Sequence, residues 1–174
     1  LKRYVLHEET LAHVLGYVGD ISSDDIRRDK LLAELQNTQI GKTGIEKEFD
    51  YVLRGNPGIQ TQERDVKGKL VRILDTQGAE DGKDIYLTID QKLQDHLFKL
   101  FENRRGALVA LEPKTGLVRA LISSPSFNPN ILNSIVNTDE VESLFSNKES
   151  PIFNRAISGQ YPPASTLKPF VGLA

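Results

Sequence analysis

The segment Tyr161-Pro162-Pro163-Ala164-Ser165-Thr166-Leu167-Lys168-Pro169 sets the expectations for the rest of the chain. Its first two prolines oppose a helix, because proline lacks an N–H and pushes the residue before it out of the α region. After Ala164 the composition permits a helix, so we predict a helix start at or near Ser165. Lys168 follows three residues later on the same face. Pro169 would cost a helical hydrogen bond further in, which indicates a late or bent start.

The spacing of Ser165 and Lys168 suits acyl transfer. A serine hydroxyl is a poor nucleophile until an adjacent base takes its proton, and a lysine is such a base only when burial or nearby positive charge has neutralised it. A helix N-terminus also offers N–H donors to an oxyanion. However, a chain of this length should contain about one such spacing by chance. A helix-capping serine beside a solvated lysine is the commoner origin of this spacing, so spacing alone does not establish a catalytic pair.

The same nine residues, preceded by Asn154-Arg155-Ala156, resemble the active-site serine segment of class B penicillin-binding proteins. Ser-x-x-Lys is among the signatures of these enzymes and of serine β-lactamases. The stretches 11–19 and 41–55 are similar to the elongation transpeptidases of rod-shaped Gram-negative bacteria, so the resemblance covers nearly the whole chain. One departure lies near the N-terminus, where the family usually has Tyr-Pro and this chain has Tyr4-Val5.

The resemblance implies an α+β protein made of two units. Residues 1–83 correspond to the small mixed pedestal (non-penicillin-binding) domain. Residues 84–174 correspond to the N-terminal part of a transpeptidase domain with a serine β-lactamase-like fold. The family's membrane anchor and its later Ser-x-Asn and Lys-Thr-Gly motifs are expected outside these 174 residues, so the chain is expected to be inactive alone.

The resemblance also implies a reaction, peptidoglycan D,D-transpeptidation at the periplasmic face of the bacterial inner membrane. Ser165 would attack the penultimate D-alanine carbonyl of a stem peptide, with Lys168 as the base, and an amine of a neighbouring stem would resolve the ester. β-Lactams would acylate the same serine. The implied partners are stem peptides and β-lactams at the site, and a membrane glycosyltransferase and scaffold proteins of the elongation complex at the pedestal. No cofactor and no metal are implied.

Two other functions remain open at this stage. Residues 163–168 also resemble class D β-lactamases and related penicillin sensors, although the long upstream segment and Pro169 argue against that assignment. Alternatively, the chain is a non-enzymatic interaction module in which the pedestal binds partners. Burst kinetics without deacylation would separate the first alternative from a transpeptidase.

Composition excludes several classes of protein. The 174 residues include no cysteine, so disulfides and thiolate metal sites are excluded. With 39% hydrophobic and 26% charged residues, the chain can form a packed core. The formal net charge of −2 gives no reason to expect nucleic acid or an anionic membrane surface as a partner. His7 and His13 are interpreted as packing or surface residues rather than as a metal pair.

Four helices are predicted from caps and apolar spacing. A hydroxyl at Ser22 or Ser23 before two aspartates predicts a helix that ends before Ile40. Apolar spacing predicts a second helix over 44–53, with Gly55 at its C-terminal cap. Asp90 is predicted to cap a third helix, and a short helix is predicted at 139–145. The expected apolar stripes are Ile26, Leu31, Leu32 and Leu35 in the first helix, and Leu93, Leu97, Leu100 and Phe101 in the third.

Strand patterns predict two hairpins. The first joins 59–66 to 69–74 through Lys67-Gly68, and the second joins 107–111 to 117–122 through a Pro and Gly turn. A further strand is predicted at 84–89, a linker at 76–82 and an irregular surface loop at 123–137. The Lys-Thr-Gly copies at 42–44 and 114–116, together with Ser126-Phe127-Asn128, precede Ser165 and are therefore assigned to turns rather than to the family's later motifs.

Overall fold

A computed structural model describes residues 4–35, 39–102, 104–133 and 138–173. Within these ranges short helices alternate with antiparallel two-stranded sheets, and the strands pair as β1–β2, β3–β4 and β5–β6. The helices are α1 (Glu8–Leu15), α2 (Ser23–Arg28), α3 (Gly44–Glu48), α4 (Asp50–Arg54), α5 (Gln91–Leu100), α6 (Thr138–Ser146), α7 (Arg155–Ser158) and α8 (Lys168–Leu173). The strands are β1 (Val18–Asp20), β2 (Gln39–Gly41), β3 (Ile59–Arg64), β4 (Leu70–Gln77), β5 (Gly106–Leu111) and β6 (Val118–Ser124). This mixture confirms the predicted α+β class.

The helix predicted after Ser22 has the expected cap but not the expected length. The Ser22 hydroxyl accepts from the N–H of Asp25 while the Asp25 carboxylate accepts from the Ser22 N–H, which completes a capping box. The α-helix ends at Arg28 because Asp29 is extended, and a 3-10 turn, Lys30–Glu34, follows. The predicted continuous stripe is therefore wrong, and of its members Leu32 is buried. Residues 36–38, where that prediction also ran, lie outside the described residues.

The predicted helix over 44–53 is divided in two at Phe49. There the backbone leaves the helical region, with φ −113° and ψ 22°, and α4 begins at Asp50. The break places the Asp50 carboxylate 2.9 Å from the N–H of Gly41, so the helix is anchored to β2. Gly55 ends α4 at φ +69°, which confirms the predicted glycine stop.

The first hairpin is confirmed, and its second strand is longer than predicted. Gly68 takes φ +79° in the turn, and the ladder runs from Arg64 opposite Leu70 to Ile59 opposite Gln77. Residues 76 and 77 therefore belong to β4 and not to the predicted linker. Every residue of β4 is exposed, so this hairpin presents apolar side chains to solvent. They are Leu70, Val71, Ile73 and Leu74.

The second hairpin, β5–β6, forms as predicted, and α5 packs on β6. The Asp90 carboxylate accepts from the N–H of Leu93, which confirms the predicted cap of α5. The strand predicted at 84–89 is wrong, because these residues lie beside β6 without a regular ladder. Instead, the Thr88 hydroxyl donates to the Val118 carbonyl of β6 at 2.7 Å. The N–H of Asp90, just after this stretch, donates to the Arg119 carbonyl at 2.8 Å.

The surface loop predicted at 123–137 is wrong for its first half. Ser123 and Ser124 end β6 and are buried, and Phe127 is 5% exposed. The reason is aromatic packing, since the Phe127 ring makes edge contacts with His13 at 5.3 Å and with Tyr17 at 6.4 Å between centroids. Residues 134–137 of that prediction lie outside the described residues. The short helix predicted after them is confirmed as α6.

The N-terminal segment is held against the second half of the chain by side chains that bind its backbone. Asn130 accepts from the Val5 N–H (2.8 Å) and donates to the Val5 carbonyl (3.0 Å), as a neighbouring strand would. A proline at position 5, which the family named above usually has, would lack the N–H that Val5 donates to Asn130. The Ser126 hydroxyl donates to the Glu9 carbonyl at 2.7 Å. The helix α1 therefore packs on β6 and α5, across the predicted unit boundary at 83/84.

Gln94 of α5 is the central residue of this contact. Its side chain is fully buried, and its Nε2 donates to the carbonyls of Thr10 and Leu121, both at 2.7 Å. Its Oε1 accepts from the N–H of Leu121 at 2.9 Å. One amide thus joins α1, α5 and β6. The predicted apolar stripe of α5 did not include Gln94, which is fully buried, whereas Leu100, a member of that stripe, is exposed.

Candidate active site

The serine segment begins in a 3-10 helix and continues as an α-helix. Ser165 lies in the 3-10 turn Ala164–Leu167, and Lys168 is the first residue of α8. The Lys168 N–H donates to the Ser165 carbonyl, which joins the two turns. Pro169 falls in the first turn of α8, where its missing N–H costs nothing. The expected helix start near Ser165, with a late transition to α-helix, is therefore confirmed.

Both predicted site residues are exposed. Ser165 and Lys168 lie in consecutive helical elements, and the solvent reaches their side chains. Ala164, just before them, takes the left-handed region at φ +47°, and the Thr166 hydroxyl donates to the Pro163 carbonyl. The predicted spacing is therefore present in the structure, and the Ser165 hydroxyl and the Lys168 side chain are both open to solvent.

Upstream of this segment, α7 is anchored in the core by residues to which the sequence assigned no role. Arg155 is 3% exposed, and its guanidinium donates to main-chain carbonyls of Glu149, Ser150 and Phe153. A buried arginine is rare unless it is paired, and here carbonyl dipoles take the place of a carboxylate. The sequence signal that could have indicated a role for Arg155 is Asn154-Arg155-Ala156, which contributed only to the family resemblance.

His13 of α1 is in contact with the start of α7, where Asn154 donates to its main-chain carbonyl at 3.2 Å. It is 8% exposed, and its Nε2 is buried without a hydrogen-bond partner among the described residues. Burial lowers the pKa of the His13 imidazole to about 4. The positive charge of Arg155 adds to this effect, while the main-chain carbonyls of Pro125 and Pro151 oppose it. His13 is therefore a neutral packing residue at physiological pH.

This burial predicts a pH-dependent stability. The unfolded imidazole has a pKa near 6.5 and the folded one about 4, so the contribution of neutral His13 is complete above pH 6.5 and is lost as the pH falls towards 4. We expect a loss of about 3 kcal/mol of unfolding free energy across that interval. Denaturant titrations at several pH values measure it. His13→Leu should flatten the dependence, whereas His96→Leu, at an exposed position of α5, should retain it; the same slope in both variants would contradict the assignment.

No metal site is evident in the part of the chain that the structure describes, which lacks a group of three His, Cys, Asp or Glu side chains able to hold an ion. His7 instead lies 3.5 Å from the Asp95 carboxylate. Over the described ranges, none of the helices has the length and apolar character needed to cross a membrane.

Two family models match the chain. Residues 1–87 match the penicillin-binding protein dimerisation domain, and residues 106–174 match the penicillin-binding protein transpeptidase domain. Among curated proteins, the chain is similar to the peptidoglycan D,D-transpeptidase MrdA of Haemophilus influenzae, with 38% identity over 99% of this chain and 27% of the relative. The MrdA protein of Acinetobacter baumannii is 42% identical over 97% of this chain and 25% of its own length. The chain thus spans about a quarter of the length of these relatives.

Solved structures of penicillin-binding proteins are also similar to this chain. The chain is similar to Pseudomonas aeruginosa PBP2 in complex with WCK 5153, with a TM-score of 0.77 and 34% identity over 96% of this chain and 33% of that one. It is also similar to PBP2 in the complex between PBP2 and MreC from Helicobacter pylori, with a TM-score of 0.83 and 32% identity over 99% of this chain and 32% of that one. Both the sequence and the arrangement of helices and strands therefore match these proteins.

Proposed function

The chain belongs to the penicillin-binding protein family, and from this we propose that it is part of a peptidoglycan D,D-transpeptidase in which Ser165 is the nucleophile and Lys168 the general base. The observation that carries the proposal is the exposed Ser165 hydroxyl at the start of a helical segment, with Lys168 one turn on, inside the region matched by the transpeptidase model. The curated relatives bear the name of that activity.

The proposed reaction proceeds through an ester on Ser165. In the complete protein, where burial of Lys168 would favour its neutral form, the Lys168 amine accepts the hydroxyl proton as the Ser165 oxygen attacks the penultimate D-alanine carbonyl of a stem peptide. The tetrahedral adduct then expels D-alanine, whose amine takes a proton. An amine of a neighbouring stem peptide attacks the ester, forms the cross-link and releases the serine. A β-lactam carbonyl would be attacked in the same way, and its opened ring would stay attached to the oxygen.

We assign residues 1–83 to a pedestal and residues 84–174 to the transpeptidase region. The first family model, at 1–87, extends four residues past this boundary, and the second, at 106–174, begins after it. The location proposed for the protein is the periplasmic face of the inner membrane, since its relatives act on peptidoglycan, which lies outside the cytoplasm. There the stem peptides, and a glycosyltransferase that supplies the glycan strands, would be within reach.

The test of the proposal is to locate a penicillin adduct. The complete protein, of which this chain is a part, is incubated with a labelled penicillin, digested and analysed by mass spectrometry. We expect the label on the peptide that contains Ser165, with a lifetime much longer than the digestion, because a transpeptidase acyl-enzyme deacylates slowly in water. An adduct on another residue would contradict the assignment of the nucleophile, and rapid turnover of the adduct would favour a β-lactamase.

We further propose that the pedestal binds a scaffold protein of the elongation complex, as the interaction-module hypothesis holds, and that the β3–β4 hairpin forms the binding surface. Support comes from the exposed apolar side chains of β4, and from the similar Helicobacter pylori protein, whose solved complex is with MreC. Contiguous exposed apolar residues commonly mark a protein interface.

A charge introduced on this hairpin should weaken scaffold binding without unfolding the protein. Leu74 is 54% exposed, so we expect Leu74→Glu to weaken binding at least about tenfold while the melting temperature changes little. Phe145→Glu, at an exposed apolar position of α6, is the matched control and should bind normally. Titration calorimetry with the cognate scaffold protein measures both, and equal binding by wild type and Leu74→Glu would exclude the hairpin.

A further inference from the structure

We propose that Arg155 is a positioning residue for Ser165: its buried guanidinium fixes the point from which the nucleophile segment leaves the core. The inference rests on the proposed role of Ser165 and extends it to a residue that does not touch the reacting atoms. Three features carry it, namely the anchor made by the guanidinium, the attachment of α7 to its neighbours, and the stiffness of the link from α7 to Ser165.

The guanidinium organises the loop that leads into α7. Its Nη1 donates to the carbonyls of Ser150 (3.1 Å) and Phe153 (3.4 Å), and its Nη2 donates to the carbonyl of Glu149 at 2.5 Å. The Phe153 ring lies over the cation, with its centroid 5.8 Å from Cζ. One planar group thus satisfies carbonyls from three residues of the loop, which the single ammonium of a lysine cannot match in geometry.

The main chain at the start of α7 is attached to two other elements. The Arg155 N–H donates to the Ser123 hydroxyl at 3.0 Å, and that hydroxyl donates to the Phe153 carbonyl at 3.1 Å, which fixes α7 to the end of β6. Asn154 donates from Nδ2 to the His13 carbonyl of α1 at 3.2 Å, and its Oδ1 caps α7 by accepting from the Ala156 N–H. Because these partners come from separate parts of the chain, the start of α7 has one defined position.

The link from α7 to Ser165 is short and stiff. The Gly159 N–H donates to the Arg155 carbonyl at 3.3 Å, and a Cβ on Gly159 would lie 2.5 Å from both that carbonyl oxygen and the Tyr161 ring. The tyrosine ring therefore lies directly against the glycine. Two prolines follow, each with φ fixed near −65°. A displacement of Arg155 is consequently carried to Ser165 rather than absorbed by the link.

The test separates the rate of acylation from penicillin affinity in Arg155→Met and Arg155→Lys. We expect the limiting acylation rate at Ser165 to fall about 100-fold in Arg155→Met and about 10-fold in Arg155→Lys, since a misplacement near 1 Å can cost about that much. The concentration of penicillin that gives half the limiting rate should change less than about threefold, because exposed Ser165 remains accessible. A residue that merely stabilised the fold would not produce this split.

Val18→Ala is the matched control. Val18 is 1% exposed in β1, so its truncation destabilises the core without removing a bond made by Arg155. At equal loss of melting temperature, Val18→Ala should acylate at nearly the wild-type rate. An equal fall in rate for Val18→Ala and Arg155→Met would overturn the inference. If Arg155→Met fails to fold, Ser123→Ala, which removes the two hydrogen bonds that attach the start of α7 to β6, replaces it in the comparison.

Hydrogen exchange keeps this inference separate from the proposed function. Amides of residues 164–168 should exchange about tenfold faster in Arg155→Met than in wild type, while those of α5 remain unchanged. If wild type forms no adduct on Ser165, the proposed function fails. The hydrogen-exchange result then tests, by itself, whether Arg155 fixes the position of residues 164–168. Unchanged exchange at 164–168 in the folded variant would overturn the positioning role even if acylation occurs at Ser165.

Discussion

Replacing Ser165 by alanine is expected to abolish the covalent penicillin adduct, a loss of at least about a thousandfold in acylation. No other atom at that position can form the ester. Because the side chain is exposed and makes no hydrogen bond that the fold requires among the described residues, Ser165→Ala should melt within about a degree of wild type. Labelling with a fluorescent penicillin, followed by a thermal melt of the same sample, measures both properties.

Two variants show whether this loss is specific. Ser158→Ala removes an exposed hydroxyl from α7, the preceding helix of the same segment, and should label like wild type. Lys168→Arg retains the positive charge but cannot lose its proton under ordinary conditions, so it should label far more slowly if Lys168 is the base. An adduct that persists in Ser165→Ala, or normal labelling of Lys168→Arg, would contradict the corresponding role.

Gln94→Leu is expected to have the largest effect on stability. The substitution leaves the carbonyls of Thr10 and Leu121 and the N–H of Leu121 buried without their present partner. At about 1–3 kcal/mol for each unsatisfied group, and with some relaxation, we expect a loss of about 3–5 kcal/mol of unfolding free energy. This is a large part of the 5–15 kcal/mol typical of a folded domain, so the variant should unfold at a markedly lower urea concentration than wild type.

Gln91→Leu provides the matched control on the same helix. Its amide makes one partly exposed bond, to the Asp95 carboxylate at 2.8 Å, and we expect a change below about 1 kcal/mol. Urea denaturation followed by circular dichroism measures both variants. A small effect of Gln94→Leu, close to that of Gln91→Leu, would mean that the contact between α1, α5 and β6 does not depend on this amide.

Local chemistry accounts for the features predicted correctly. Gly68 and Gly116 adopt positive φ in the turns where the hairpins were expected, and Ser22 and Asp90 cap the helices they were expected to cap. The late helix start at Lys168 follows from its prolines. Each of these depends on the backbone preferences of residues close in sequence, so the pattern alone was sufficient.

Errors arose where a distant partner decides the outcome. The polar stretch that includes Ser123 and Phe127 resembles a surface loop, yet it is buried because α1, more than a hundred residues earlier, covers it. The apolar periodicity of α5 did not indicate Gln94, which is fully buried because its amide meets backbone groups of α1 and β6. Apolar periodicity measures hydrophobicity and does not record which polar groups will find a partner.

The sequence by itself determined the fold class, the two hairpins and the helix start at Ser165, because these depend on proline, glycine and capping residues. It also determined membership of the penicillin-binding proteins, because a nine-residue motif indicates that family. Only the tertiary structure decided that the N-terminal segment packs against the second half of the chain, and that Arg155 is buried at the base of the serine segment. The physical reason is that a buried polar side chain is stable only when specific partners are brought to it, and those partners come from α1, β6 and the loop before α7.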